Sequence, residues 1–119
     1  MAKSMTLSGA TVTNTGTGTA TATVSSKSGN NVVLQSLITK TSGTLGGTVT
    51  LQVSSDGTNY VTAPTTLVEG AASTYTVTDS ATQSFVFVVK GNPFEKYRLS
   101  WTGTGTMVGV ITSASISVK

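Results

Sequence analysis

Between positions 96 and 102 oily and polar residues take strict turns: Tyr97, Leu99 and Trp101 alternate with Lys96, Arg98, Ser100 and Thr102. A period of two is the repeat of an extended strand, whose successive side chains point to opposite faces. The same repeat recurs where Val49, Leu51 and Val53 sit between Thr48, Thr50, Gln52 and Ser54, and where Ala20, Ala22 and Val24 sit between Thr19, Thr21 and Thr23. No window of about 11 residues or more carries a helical stripe. The pattern predicts an all-β chain whose strands have one dry and one wet face.

Turn chemistry divides the strands. Ser54-Ser55-Asp56-Gly57 ends the second alternating run, because Gly accepts positive φ and Asp bonds its own backbone. Gly91-Asn92-Pro93 precedes the run at 96–102, because proline fixes φ and cannot donate to a ladder. About eight or nine strands at roughly 8–12-residue spacing predict an antiparallel β-sandwich, jelly-roll-like, with residues 1–119 forming one domain.

Three segments depart from simple alternation. Val108, Val110, Ala114, Ile116 and Val118 share one face of a long final strand, expected to bulge near Ser113. Met5 and Leu7 have one parity and Ala10 and Val12 the other, which places a kink at Gly9. Between Val32 and Thr41 the phase slips around Gln35-Ser36, which predicts a bulge there.

The run Phe85 to Val89 is apolar on both sides, with Phe85, Phe87 and Val89 pointing one way and Val86 and Val88 the other. Exposed patches of this kind call for a cover, supplied either by another subunit or by a loop of the same chain. Val86, Val88 and the following Lys90 are the candidate protein interface.

Composition sharpens that reading. Charged residues make up 9% of the chain and hydrophobic ones 37%, against about 25% charged and roughly 45–50% apolar in ordinary globular domains, a figure that counts Gly where this one counts Tyr. The core is expected to be thin, and part of the low-charge surface to be covered by association in a homo-oligomer or multi-copy assembly. The net charge of +3 falls far short of the dense basic face that phosphate binding uses. No stretch approaches the roughly 20 apolar residues of a membrane helix, and the first residues lack the apolar segment of a secretory signal. Neither membrane nor export is expected.

The chain contains no histidine and no cysteine. The common nucleophile–base pairs and the usual zinc ligands are thus missing, and the chain is not expected to be an enzyme or to carry a cofactor or metal. Its four acids each have a structural role open to them: Asp56 shapes a turn, Glu69 precedes Gly70 in a loop, Asp79 ends a strand and Glu95 pairs with a neighbouring lysine. A calcium site at Asp56 lacks a second acid in the same loop. The glycines at 103, 105 and 109 do not have phosphate-loop spacing, and no helix follows them.

Lys96 and Arg98 are interleaved with Tyr97 and Trp101, as in single-strand nucleic-acid binders. Parity puts the aromatics and the cations on opposite faces, so nucleic acid is not the expected partner. Tyr60 and Tyr75 are the aromatics least committed to the core, and are the candidates for stacking on a sugar ring. Thr15-Gly16-Thr17-Gly18-Thr19 is echoed at Thr102-Gly103-Thr104-Gly105-Thr106. No fixed period accompanies the echo, and chance accounts for it in a chain so rich in Thr and Gly.

The run from Val49 to Tyr60, VTLQVSSDGTNY, resembles a hairpin that recurs in small β-sandwich virion proteins of tailed bacteriophages. The run from Gly91 to Thr106, GNPFEKYRLSWTGTGT, is similar to a second recurring block in them, and together the two cover about a quarter of the chain. The resemblance implies a structural virion protein, either a capsid decoration (auxiliary) protein bound to the major capsid protein or a tail-associated part, with no catalytic residues to carry over. It also implies location in the virion. Hairpins of the form Ser54-x-Asp56-Gly57-Thr58-x-Tyr60 occur in sugar-binding sandwiches too, so a carbohydrate-binding module or receptor-binding part is the alternative.

Overall fold

A computed structural model describes residues 3–6, 10–23, 32–56, 58–90, 96–112 and 115–118. Its strands are β1 (Lys3–Thr6), β2 (Ala10–Thr13), β3 (Thr17–Thr23), β4 (Val32–Gly43), β5 (Thr48–Ser54), β6 (Val61–Thr62), β7 (Thr74–Thr76), β8 (Thr82–Val89), β9 (Lys96–Thr102), β10 (Met107–Thr112) and β11 (Ser115–Val118). Two single 3-10 turns, Thr65–Leu67 and Glu69–Ala71, link β6 to β7.

All pairings are antiparallel and form two sheets. In the first, β4 is central, with β8 on one side and β10 followed by β11 on the other. Beyond these lie β2 and β1, against β10 and β11 respectively. In the second sheet the order is β3, β9, β5, and then β7 and β6 sharing the last lane. The chain passes back and forth between the sheets, which together form an antiparallel β-sandwich.

The alternation read from the sequence dictates which faces meet. Tyr97, Leu99 and Trp101 from β9 and Val49, Leu51 and Val53 from β5 are all fully buried. They meet Val12, Leu34, Ile38, Phe85, Phe87, Val89, Met107 and Ile111 from the first sheet. Each large side chain buried this way contributes roughly 1.5–3 kcal/mol relative to exposure. The side chains of residues 19–23 lie outside the described set, as does Val24 altogether, so of the alternation expected at Ala20, Ala22 and Val24 only the strand through Ala20 and Ala22 is seen.

Two expectations change. The pairing of β4 with β8 runs without interruption from Val32↔Val89 to Thr39↔Thr82, so there is no bulge at Gln35-Ser36. Ser36 is buried in line with Leu34 and Ile38, while Leu37 points outward. A small polar residue on the core face and an apolar one outside imitate a phase slip. The irregularity lies instead at the far end of β4, where Val108 faces Ser42 and the next residue, Gly109, faces Lys40.

The final segment also differs. The inward residues of β10 are Met107, Gly109 and Ile111, and Val108 and Val110 are half-buried on the outer face. Gly109 leaves no apolar mark in the sequence, yet Trp101 fills the space over it. Ser113 lies outside the described residues. On either side of it, Thr112 pairs with Leu37 and Ile116 with Leu34, four steps against three, so one extra residue is accommodated. The kink expected at Gly9 also falls outside the described residues; the strand's partner changes from β11 to β10 across it.

The two Thr-Gly runs lie together in space. Thr17 pairs with Thr102, their hydroxyl oxygens 3.1 Å apart, and Gly103 N donates to Gly16 O at 3.0 Å. The two runs meet side by side at one end of the sandwich.

Candidate interaction surfaces

The outer face of the first sheet holds the candidate interface. Phe85, Phe87 and Val89 are buried, while Val86 is 55% exposed and Val88 half-buried. Across the β4 ladder Val86 faces Gln35 and Val88 faces Val33, and Leu37, two residues beyond Gln35, is 36% exposed. Val108 and Val110 extend the same surface onto β10, where Val110 pairs with Thr39 and with Thr11 of β2. None of these outward residues is ionisable. Lys90 is exposed just past the end of β8, and its backbone N–H donates to Leu67 O at 2.8 Å. With the Val68↔Val89 bridge, that contact covers one end of the β8 edge.

The outer face of the second sheet is polar, and its described outward residues on β5 and β9 include Thr48, Thr50, Gln52, Lys96, Arg98, Ser100 and Thr102. The parity argument holds there, since Tyr97 and Trp101 are buried beneath Lys96 and Arg98. What sequence reasoning missed is that an aromatic arrives from a neighbouring lane. Tyr60 shares the parity of Thr62, which pairs with Gln52, and Gln52 in turn pairs with Arg98. The Arg98 guanidinium carbon lies 4.0 Å from the Tyr60 ring centre, and Arg98 Nε donates to Gln52 Oε1 at 2.7 Å. The Asp56 hairpin was a visible signal for the fold-back of residue 60, but the β5–β9 register that completes the trio was not.

Asp56 builds that hairpin. Its Oδ1 accepts from Ser54 Oγ, Thr58 N and Asn59 N at 2.8–2.9 Å, and its Oδ2 from Asn59 Nδ2 at 2.8 Å. Hydrogen bonds from the Asn59 and Thr58 backbone, then from the Asn59 and Ser54 side chains, hold its carboxyl well below the usual range. Both oxygens are engaged in making the turn. Among the described residues no three His, Cys, Asp or Glu side chains are grouped as metal ligands would be.

Tyr75 is placed differently from Tyr60. Its ring stacks on Phe85, centroids 4.4 Å apart, and its hydroxyl donates to Gln83 Oε1 at 2.7 Å. One face of the ring therefore belongs to the core margin, and the two tyrosines stand in different surroundings. Asp79 accepts from Lys40 Nζ at 2.9 Å and from Leu45 N at 3.1 Å, tying the β7–β8 turn to the end of β4. Those contacts, Lys40 first, lower its pKa. Glu95 lies outside the described residues.

No family model and no curated protein sequence matches the chain. Its fold recurs in solved structures of low sequence identity. The PBSX exported protein XepA matches with a TM-score of 0.61 and 13% identity over 98% of this chain and 36% of that one. The enzymatically active domain of tailspike protein 4 of bacteriophage CBA120 matches with a TM-score of 0.58 and 10% identity, over 96% of this chain and 19% of that one. A carbohydrate-binding module specific for non-crystalline cellulose matches with a TM-score of 0.52 and 10% identity, over 82% and 63% respectively. The chain thus spans 19% of the tailspike chain and 36% of the XepA chain. At these identities the likeness is one of fold: a β-sandwich shared with a bacteriophage tailspike domain, XepA and a carbohydrate-binding module. Among the described residues no helix is long and apolar enough to cross a membrane.

Proposed function

We propose that this chain is a non-catalytic structural protein of a tailed-phage virion, docking as a decoration or auxiliary subunit on the major capsid protein or another virion protein. The observation that carries the reading is the outer face of the first sheet, whose described outward residues on β4, β8 and β10 carry no charge and where Val86 is 55% exposed beside the 36% exposed Leu37. An apolar sheet face without ionisable groups is a poor permanent boundary with water and a good one with protein, because burying it releases water without stripping charges. In a many-copy shell the scarcity of charge, 9% of residues, favours association. The shared fold with a bacteriophage tailspike and with XepA agrees with this reading. Phage shells assembled without the protein, mixed with it and sedimented, test it. The protein is expected in the pellet at a fixed ratio to capsid protein; recovery entirely in the supernatant, as a monomer, overturns the proposal.

A second reading, a carbohydrate-binding module, is favoured by the half-exposed Tyr60 on the hydroxyl-rich outer face of the second sheet and by the fold shared with the cellulose-specific module. The two readings use opposite faces.

A further inference from the structure

We infer that Arg98, Tyr60 and Gln52 form a binding site for the carboxylate of an acidic saccharide. The inference is independent of docking through the apolar sheet and deepens the carbohydrate reading by naming its ligand class.

A surface arginine is ordinarily a mobile, solvated charge. Arg98 is held on two sides: its Nε donates to Gln52 at 2.7 Å and its guanidinium carbon lies over the Tyr60 ring, 4.0 Å from the centroid. Those contacts restrain the guanidinium, and they leave the two Nη groups, which have no protein acceptor among the described residues. A fork held this way is pre-organised for two parallel N–H···O bonds to a carboxylate, and little rotamer freedom remains to be lost on binding. The nearest competitor in the hairpin, Asp56, has both oxygens engaged in the turn. Lys96, on the same face of β9, adds a second positive charge with no ion pair among the described residues.

The surroundings select a saccharide over a peptide. The described outward residues on β5 and β9 are Thr48, Thr50, Gln52, Lys96, Arg98, Ser100 and Thr102, all with donors or acceptors. They offer hydroxyl and amide groups that exchange hydrogen bonds with sugar hydroxyls along an open sheet. They include no apolar side chain to anchor a peptide.

Titration of the isotopically labelled chain with a uronic-acid hexasaccharide, a neutral hexasaccharide and a hexaglutamate peptide, followed by amide resonances, tests the site. The acidic sugar is expected to shift the resonances of Gln52, Tyr60, Arg98 and Ser100, and raised salt is expected to weaken it. Arg98→Lys keeps the charge but removes the fork, and is expected to weaken binding about tenfold or more. Unfolding of the variant by urea, unchanged from the parent, shows that it folds. Absence of shifts with the acidic sugar, or equal binding by Arg98→Lys, overturns the inference. Binding of the neutral sugar at least as tightly overturns it while leaving the carbohydrate reading standing. Equal binding of hexaglutamate overturns the saccharide assignment.

Discussion

Trp101 of β9 occupies the space that a side chain at Gly109 of β10 would fill: an ideal Cβ there lies 2.5 Å from Trp101 Cη2 and 2.9 Å from Leu45 Cδ2. The indole is fully buried, and its Nε1 donates to Gly46 O at 3.0 Å, so it cannot swing away without abandoning that bond. Gly109→Ala is therefore an overpacking change at the centre of the sandwich. It is expected to lower stability by about 1–3 kcal/mol, read as a reduced midpoint in urea with an unchanged slope.

That pair also shows where the sequence was legible. Tyr97, Leu99 and Trp101 announced their inward face because oily side chains alternate with polar ones, and β5 did the same with Val49, Leu51 and Val53. The inward face of β10 was hidden, since one of its residues is a glycine whose contribution is absence of bulk, while Val108 and Val110 advertise the outer face. β4 misled for the opposite reason, with Ser36 inside and Leu37 outside. Patterns of single strands report burial, whereas packing between sheets decides which side is buried when both are apolar. The candidate site divides likewise: the two-sided character of Phe85–Val89 could be read directly, but the meeting of Tyr60 with Arg98 depends on strand register, which no local pattern encodes.

Gly47 and Gly105 both have positive φ, +97° and +64°, but different surroundings. A Cβ at Gly47 would collide with Thr102 O, whereas none of the neighbouring atoms lies within 4 Å of one at Gly105. The backbone strain of a left-handed alanine is about 1–2 kcal/mol at either position. Gly105→Ala is expected to show that strain alone in thermal unfolding. Gly47→Ala adds a backbone clash beside the bond from Val77 N to Gly47 O, and is expected to be clearly the less stable of the two.

Asp56 gives the hairpin an acid sensitivity of defined sign. Its carboxyl titrates well below the ordinary 3.8, chiefly because the Asn59 and Thr58 N–H groups bond the charged form. As pH falls, the unfolded chain takes up the proton first, so protonation favours unfolding. The stabilisation is complete well above pH 3.8, begins to decline near it and is lost toward the folded-state value. The carboxylate is exposed, so solvent screening keeps the effect modest. Asp56→Ala is expected to be less stable than the parent at pH 7 and to converge with it in urea titrations between about pH 4 and pH 2. A constant difference across that range would show that the turn does not depend on the charge.

Val86 separates stability from assembly. Its side chain is 55% exposed on the outer face, opposite Gln35, and contributes little to the core formed by Phe85, Phe87 and Val89 on the other side of β8. Substitution of an exposed residue away from caps, turns and buried networks usually changes stability by no more than about 0.5 kcal/mol. Val86→Lys is therefore expected to unfold at nearly the parent temperature. At an interface the same change would bury an unpaired ammonium, which is strongly unfavourable in a dry contact. In the sedimentation assay with shells lacking the protein, the variant is expected to remain in the supernatant under conditions that pellet the parent. Retention of binding by a folded Val86→Lys variant would move the docking surface away from this face of the sheet, because no well-packed apolar contact at Val86 accommodates a charge without loss.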